Sequence, residues 1–127
     1  MPVPWSGTRA PYGFGPGDGQ PWLPMPEDWA GLTVEAQLAD DGSTLSFFRR
    51  MLALRRELTA GLSEDVDPVA SAPDVFAFRR DDLVCMVNCG DAPAALPDEA
   101  GDLLLSSGPA PAAGLLAPDT AAWFRRR

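Results

Sequence analysis

Apolar residues are spread along the chain in three different ways, and each predicts a different kind of structure. Between Thr44 and Ala60 they recur with helical spacing. Leu45, Phe47, Phe48, Met51, Leu52, Leu54 and Leu58 cover about half the circumference at roughly 100° per residue. That arc is wider than a minimal amphipathic stripe, so the helix is expected to be covered on two sides. Ser43 is the expected N-cap, with Asp40 and Asp41 near the positive end of the helix dipole. Gly61, followed by apolar Leu62, is the expected left-handed stop. Arg49, Arg50, Arg56 and Glu57 fall on the polar face, whereas Arg55 points into the middle of the apolar arc. Two accounts of Arg55 stay open: a stem snorkelling at the rim, or a buried guanidinium paired with a carboxylate outside the helix.

From Val66 onward the period changes to short β-like runs separated by turn residues. Val75–Arg80, then Asp81-Asp82, then Leu83–Asn88 reads as a hairpin. The second of these strands is apolar on both faces and is therefore expected at the centre of a sheet. Further strands are expected at Ala94–Leu96, Asp102–Ser106 and Ala121–Arg125, with turns at Asp98-Glu99, Gly108-Pro109 and Pro118-Asp119. The spacing suits an antiparallel, sandwich-like module.

Residues 1–42 follow neither period. Seven of the fourteen prolines lie between Pro2 and Pro26, interleaved with glycines and with Trp5, Tyr12, Phe14, Trp22 and Trp29. Such a stretch is expected to be a long structured loop without regular helix, with Thr33–Gln37 as a brief extended segment closing it. Aromatic rings each bury roughly 150–250 Å² when packed, so the ring-rich loop is expected to lie on something. A loop of that length points to function or to a scaffold beyond it.

Composition narrows the chemistry. The chain has 127 residues, enough for one ordinary domain, and 46% of them are hydrophobic. Its ten basic residues, all Arg, face eighteen acids for a formal charge of −8, and no cationic cluster suits a phosphate backbone, so nucleic acid is not an expected partner. Histidine is absent and the only thiols are Cys85 and Cys89. That leaves no donor set for a zinc ion and no histidine base for a serine or cysteine nucleophile; no metal or other cofactor and no catalytic residue are expected. The thiols are expected to be free and buried or half-buried. No run reaches the roughly 18 apolar residues of a membrane span. No basic-then-apolar leader opens the chain, and a cytoplasmic protein is expected.

Five adjacent acidic pairs, Glu27-Asp28, Asp40-Asp41, Glu64-Asp65, Asp81-Asp82 and Asp98-Glu99, invite a glycosidase reading. Each sits at a turn or cap, however, where such side chains serve the backbone. Gly13-Phe14-Gly15-Pro16-Gly17-Asp18-Gly19 lacks the strand, helix and Lys of a phosphate-cradling loop and reads as a turn-rich surface loop. The tryptophans are either packing anchors or flat platforms for sugar rings.

Several motifs in order carry a resemblance. They are Met1-Pro2-Val3-Pro4-Trp5-Ser6-Gly7, Tyr12-Gly13-Phe14, Pro21-Trp22-Leu23-Pro24, residues 34–40 and residues 46–57. More weakly, Phe76–Arg80 and Cys85–Asn88 join them. The chain resembles the C-terminal region of α-glucosidases and oligo-1,6-glucosidases of glycoside hydrolase family 13, in the α-amylase superfamily. The resemblance implies an α+β fragment: the long loop and last helix of a TIM (β/α)₈ barrel, followed by a small antiparallel β-sandwich domain. Residues 1–42 then follow barrel strand eight, 43–61 form the last barrel helix, and 62–127 form the C-terminal β-domain. The family's catalytic Asp, Glu and second Asp precede this region, so none maps here. Met1 falls inside the family's loop motif, where an Arg usually precedes the proline-containing stretch; an internal Met taken as a start, or a truncated gene, is expected. Trp5 is the implied substrate-binding residue, at the entrance loop, and Ser43, Arg55 and Gly61 are structural. The implied partners are the enzyme's N-terminal barrel portion and α-glucan oligosaccharides. A stand-alone carbohydrate-binding β-module is the alternative.

Overall fold

The computed structural model describes residues 3–16, 19 and 21–126, and these fall into two compact units, Met1–Arg56 and Glu57–Arg127. The boundary lies in the last turn of the long helix α2, Thr44–Thr59.

In the first unit, residues 3–16 form a loop held by turns. Tyr12 N–H donates to Arg9 C=O at 2.9 Å and Phe14 N–H to Pro11 C=O at 3.0 Å. A 3₁₀ turn over Glu27–Leu32 leads into the short helix α1, Val34–Leu38. This corrects two expectations, that residues 1–42 hold no helix and that Thr33–Gln37 is extended. Thr33 is the cause: its hydroxyl accepts the Ala36 N–H at 3.2 Å, and the good helix formers Glu35, Ala36, Gln37 and Leu38 follow it.

Helix α2 matches its expected span to within a residue. Ser43 caps it, accepting the Ser46 N–H at 3.1 Å while donating to Gln37 C=O at 2.6 Å. Gln37 also accepts the Leu45 N–H and donates to Leu32 C=O, so one amide ties the 3₁₀ turn, α1 and the first turn of α2 together. Gly61 adopts φ 83° at the helix end, the left-handed conformation that favours glycine. Not one residue of α2 is buried, although its apolar arc is wide.

The second unit is an antiparallel five-stranded sheet with a two-stranded ribbon. Strands β1 (Asp67–Pro68), β2 (Val75–Arg80), β3 (Leu83–Asn88), β5 (Ala100–Ser106) and β7 (Thr120–Arg126) lie in the order β1-β2-β3-β7-β5. Strands β4 (Ala94–Ala95) and β6 (Leu115–Leu116) form the ribbon. The β2–β3 hairpin closes between the paired residues Arg80 and Leu83, with Asp81 at φ 49°, a backbone that a two-residue turn needs. As expected from its doubly apolar sequence, β3 is central. Strands β1 and β6 were not expected; each has only two paired residues, too few to show a period.

Alternation decides the core. On one face of the sheet Ala77, Val84, Met86, Ala122 and Phe124 are buried, and Leu116 from β6 and Ala100 join them. Burying each large member of this set contributes roughly 1.5–3 kcal/mol. The other face carries Phe76, Phe78, Cys85, Val87 and Trp123, half-buried except for exposed Phe76. Asn88 is buried at the end of β3. Its amide shares two N–H donors among the carbonyls of Ala92, Leu116 and Ala117, and its oxygen accepts the Gly90 N–H at 3.0 Å. One polar side chain therefore joins the ribbon to the sheet.

Candidate functional site

The loop of the first unit is the candidate site, because it carries the residue that the motifs single out. Trp5 is held by its backbone on both sides. Its N–H donates to Tyr12 C=O at 2.7 Å, and its own C=O accepts the Glu35 N–H at 3.0 Å. The neighbouring Pro4 C=O accepts the Val34 N–H at 3.1 Å. These donors are the first two N–H groups of α1, which a helix cannot satisfy internally. The Glu35 carboxylate reaches back to accept the Gly7 N–H at 2.8 Å. Tyr12 anchors the middle of the loop. It is 2% exposed, and its hydroxyl reaches the carbonyls of Pro26 at 2.9 Å and Glu27 at 3.2 Å. Gly13, at φ 68°, lies where an added Cβ would meet Ser6 Oγ at 2.5 Å, so the loop closes tightly there.

Most of the loop's other apolar side chains project outward. Trp5 is 52% exposed, Phe14 53% and Trp22 96%. The expectation that this aromatic surface is packed holds within the chain for Tyr12 and not for these rings, since the glycine- and proline-rich backbone turns them away from the unit's small interior. The Gly13–Gly19 stretch is a surface loop with turns at Phe14 and Gly19, as expected; its Gly17 and Asp18, like Met1, Pro2, Gln20 and Arg127, lie outside the described residues.

Ser43 and Gly61 stand where the helix pattern puts them, at the two ends of α2. Arg55 is exposed on α2 within this chain.

The acidic pairs serve turns and ion pairs. Asp40 accepts the Gly42 N–H and Asp81 the Ser63 N–H. Asp82 pairs with Arg125, and Glu99 lies 3.4 Å from both Arg79 and Arg126. The Arg79–Asp67 hydrogen bond at 2.6 Å raises the Arg79 pKa, opposed by partial burial and reinforced by Glu99. Asp67, Arg79, Asp81 and Arg126 line a cleft of about 480 Å³, together with Ser63, Asp65 and Val66. Its lining has no aromatic ring for a sugar to stack on. Among the described residues no group of three His, Cys, Asp or Glu is placed to hold a metal ion.

Both cysteines are free. Cys85 is half-buried as expected, but Cys89 is exposed because it falls just past the end of β3. Burial pushes the Cys85 thiol up from 9.0 to about 11, and a hydrogen bond with Trp123 opposes the shift.

Residues 69–123, the larger part of the sheet unit, match the family described as a domain of unknown function, DUF3459. Trehalose-6-phosphate hydrolase of Escherichia coli is 31% identical over 83 residues, which are 58% of this chain and 15% of that protein. The oligo-1,6-glucosidase IMA5 of Saccharomyces cerevisiae is 37% identical over 57 residues, 44% of this chain and 10% of that protein. Among solved structures, an inactive double mutant of MutB in complex with isomaltulose superposes with a TM-score of 0.75 at 27% identity, covering 100% of this chain and 25% of that one. The chain is homologous to the C-terminal region of family 13 glycoside hydrolases. The trehalulose synthase MutB from Pseudomonas mesoacidophila gives a similar result, with a TM-score of 0.72, 27% identity and coverage of 98% and 24%. The chain thus spans about a quarter of the length of these family 13 structures, and its homologues are larger single-chain enzymes. No described helix is long and apolar enough to cross a membrane.

Glu35 and Gln37 are residues of this loop unit that sequence reasoning did not single out, and Tyr12 entered it only as part of a motif. The available signal was Thr33 before a run of helix formers, which fixes the start of α1 and hence the direction of Glu35. Nothing local in the sequence links Glu35 to Gly7, 28 positions earlier.

Proposed function

We propose that the chain is the non-catalytic C-terminal part of a retaining α-glucosidase that hydrolyses α-linked gluco-oligosaccharides in carbohydrate metabolism, in the cytoplasm. The observation that carries this reading is the coverage: the whole chain aligns with only 25% of a solved family 13 relative. In this reading residues 1–42 are the loop after the eighth strand of a (β/α)₈ barrel, 43–61 are its last helix and 62–127 are the C-terminal β-domain. The catalytic carboxylates belong to the barrel, which lies outside these residues. Loops at that end of a barrel strand surround the active site, so Trp5 becomes part of the substrate entrance. The lack of any buried residue on α2 supports the reading, since a barrel strand would cover its apolar arc. The test is an assay of the isolated chain on an aryl α-glucoside. Turnover no greater than that of a heat-killed control is expected, and measurable hydrolysis overturns the proposal.

The exposure of Trp5 and Trp22 favours one second reading, a carbohydrate-binding module that works without chemistry. Tryptophan fluorescence titrated with maltooligosaccharide separates the two. Saturable quenching lost on Trp5→Ala or Trp22→Ala supports the module, and a flat response leaves the scaffold.

A further inference from the structure

We infer that Glu35 is a positioning residue, which fixes the backbone of Trp5 so that its exposed indole stands as a rigid platform for a sugar ring. The consequence for sugar binding rests on the role of Trp5 proposed above; the positioning itself does not.

An exposed indole on a mobile loop makes a poor recognition surface, because each binding event must first order it. Trp5 escapes that penalty through four hydrogen bonds that close a small ring of backbone. Tyr12 C=O accepts from both Trp5 N–H at 2.7 Å and Ser6 N–H at 3.0 Å. On the other side the Glu35 N–H donates to Trp5 C=O at 3.0 Å, and the Glu35 carboxylate accepts the Gly7 N–H at 2.8 Å. Glu35 therefore grips the chain on both sides of Ser6, once through its backbone and once through its side chain. Only the second contact depends on which residue occupies position 35. Gly7, at φ 78°, turns the chain so that its N–H meets that carboxylate. The indole takes no part in these bonds. Its backbone is clamped while about half of its surface faces solvent, a combination suited to stacking against the flat, apolar face of a pyranose.

The experiment uses the full chain labelled with 5-fluorotryptophan, whose four indoles are read separately by fluorine NMR; the Trp5 resonance is the one lost in Trp5→Phe. Glu35→Ala is expected to shift this resonance toward its unfolded position and narrow it, leaving those of Trp22, Trp29 and Trp123 in place. Glu35→Gln, whose amide oxygen can still accept from Gly7, is expected to restore it. Titration of the parent chain with isomaltose or maltotriose should move the Trp5 signal saturably, and Glu35→Ala should weaken that response by roughly threefold to tenfold, the worth of one ordinary solvent-exposed hydrogen bond. A Trp5 resonance unchanged in Glu35→Ala overturns the inference. Collapse of all four resonances also overturns it, by placing Glu35 in the folding of the unit. A Trp5 signal that Glu35→Ala releases but no sugar moves upholds the positioning and removes Trp5 from the proposed function.

Discussion

The two thiols of this chain differ through a displacement of only four positions. Cys85 lies on the half-buried face of β3 beside Trp123, whereas Cys89 lies past the strand end in solvent. With its thiol pushed to about 11, Cys85 holds almost no nucleophilic thiolate at pH 8, so iodoacetamide is expected to modify Cys89 first. Mass mapping of the labelled peptides checks this, and equal rates at both sites would refute it. The same shift acts on stability. The folded-state pKa lies above the ordinary 9.0, so the contribution of the neutral thiol is whole below about pH 9 and is lost as pH climbs toward 11. Urea midpoints measured across that window should fall with rising pH, and Cys85→Ala should flatten the decline. Asn88 is the other residue on which much depends. Its removal leaves the carbonyls of Leu116 and Ala117 without their shared donor. Asn88→Ala is therefore expected to cost about 2–3 kcal/mol in urea denaturation, close to the desolvation penalty of the stranded groups.

Among the elements, α2 was the most legible, because sixteen residues with a sustained period and a cap at each end leave little choice of conformation. The hairpin was legible for a similar reason: two runs of six residues flank a two-residue acidic turn. Where elements are short the text fails. Two paired residues at β1 or β6 have no period, and their pairing depends on strands that are already in place. Helix α1 was misread as extended because proline and glycine dominate what precedes it, although Thr33 already marked its start. Gln37 makes the same point about joints, since its side-chain amide joins Leu32 of the 3₁₀ turn to Leu45 of α2, which no spacing rule relates. The cap of α2 can be tested directly. Ser43→Ala removes the acceptor of the Ser46 N–H and the bond to Gln37 C=O, and should cost about 1 kcal/mol. Helical circular dichroism followed through a urea titration reads that loss; a midpoint unchanged from the parent chain contradicts it.

At the scale of the molecule, the sheet unit has a core of its own and α2 does not. Phe48 is 51% exposed on the apolar arc of α2, whereas Phe124 is 1% exposed inside the sheet unit. Phe48→Ala should therefore leave the stability of this chain within about 0.5 kcal/mol of the parent, while Phe124→Ala should cost about 3–5 kcal/mol. Parallel denaturation of the two variants checks the contrast, and a large loss from Phe48→Ala would mean that the ring is packed within the chain. The loop that carries Trp5 follows the same division. Trp5 could be named from its motif, but the Glu35–Gly7 bond beside it could not.

By itself the sequence determined what is periodic or local: the helix and its caps, the hairpin, the central place of β3, the free thiols and the family resemblance. These follow from spacing, side-chain type and ordered motifs, all of which one strand of text records. Only the tertiary structure decided which contacts close over distance. The Glu35 carboxylate meets Gly7 across 28 positions, Asn88 reaches Leu116 across 28 more, and Tyr12 rather than a tryptophan fills the interior of the loop unit. Such pairings depend on where the backbone turns, at Gly7, Gly13 and the start of α1, and a turn sets direction in space without leaving a period in the sequence.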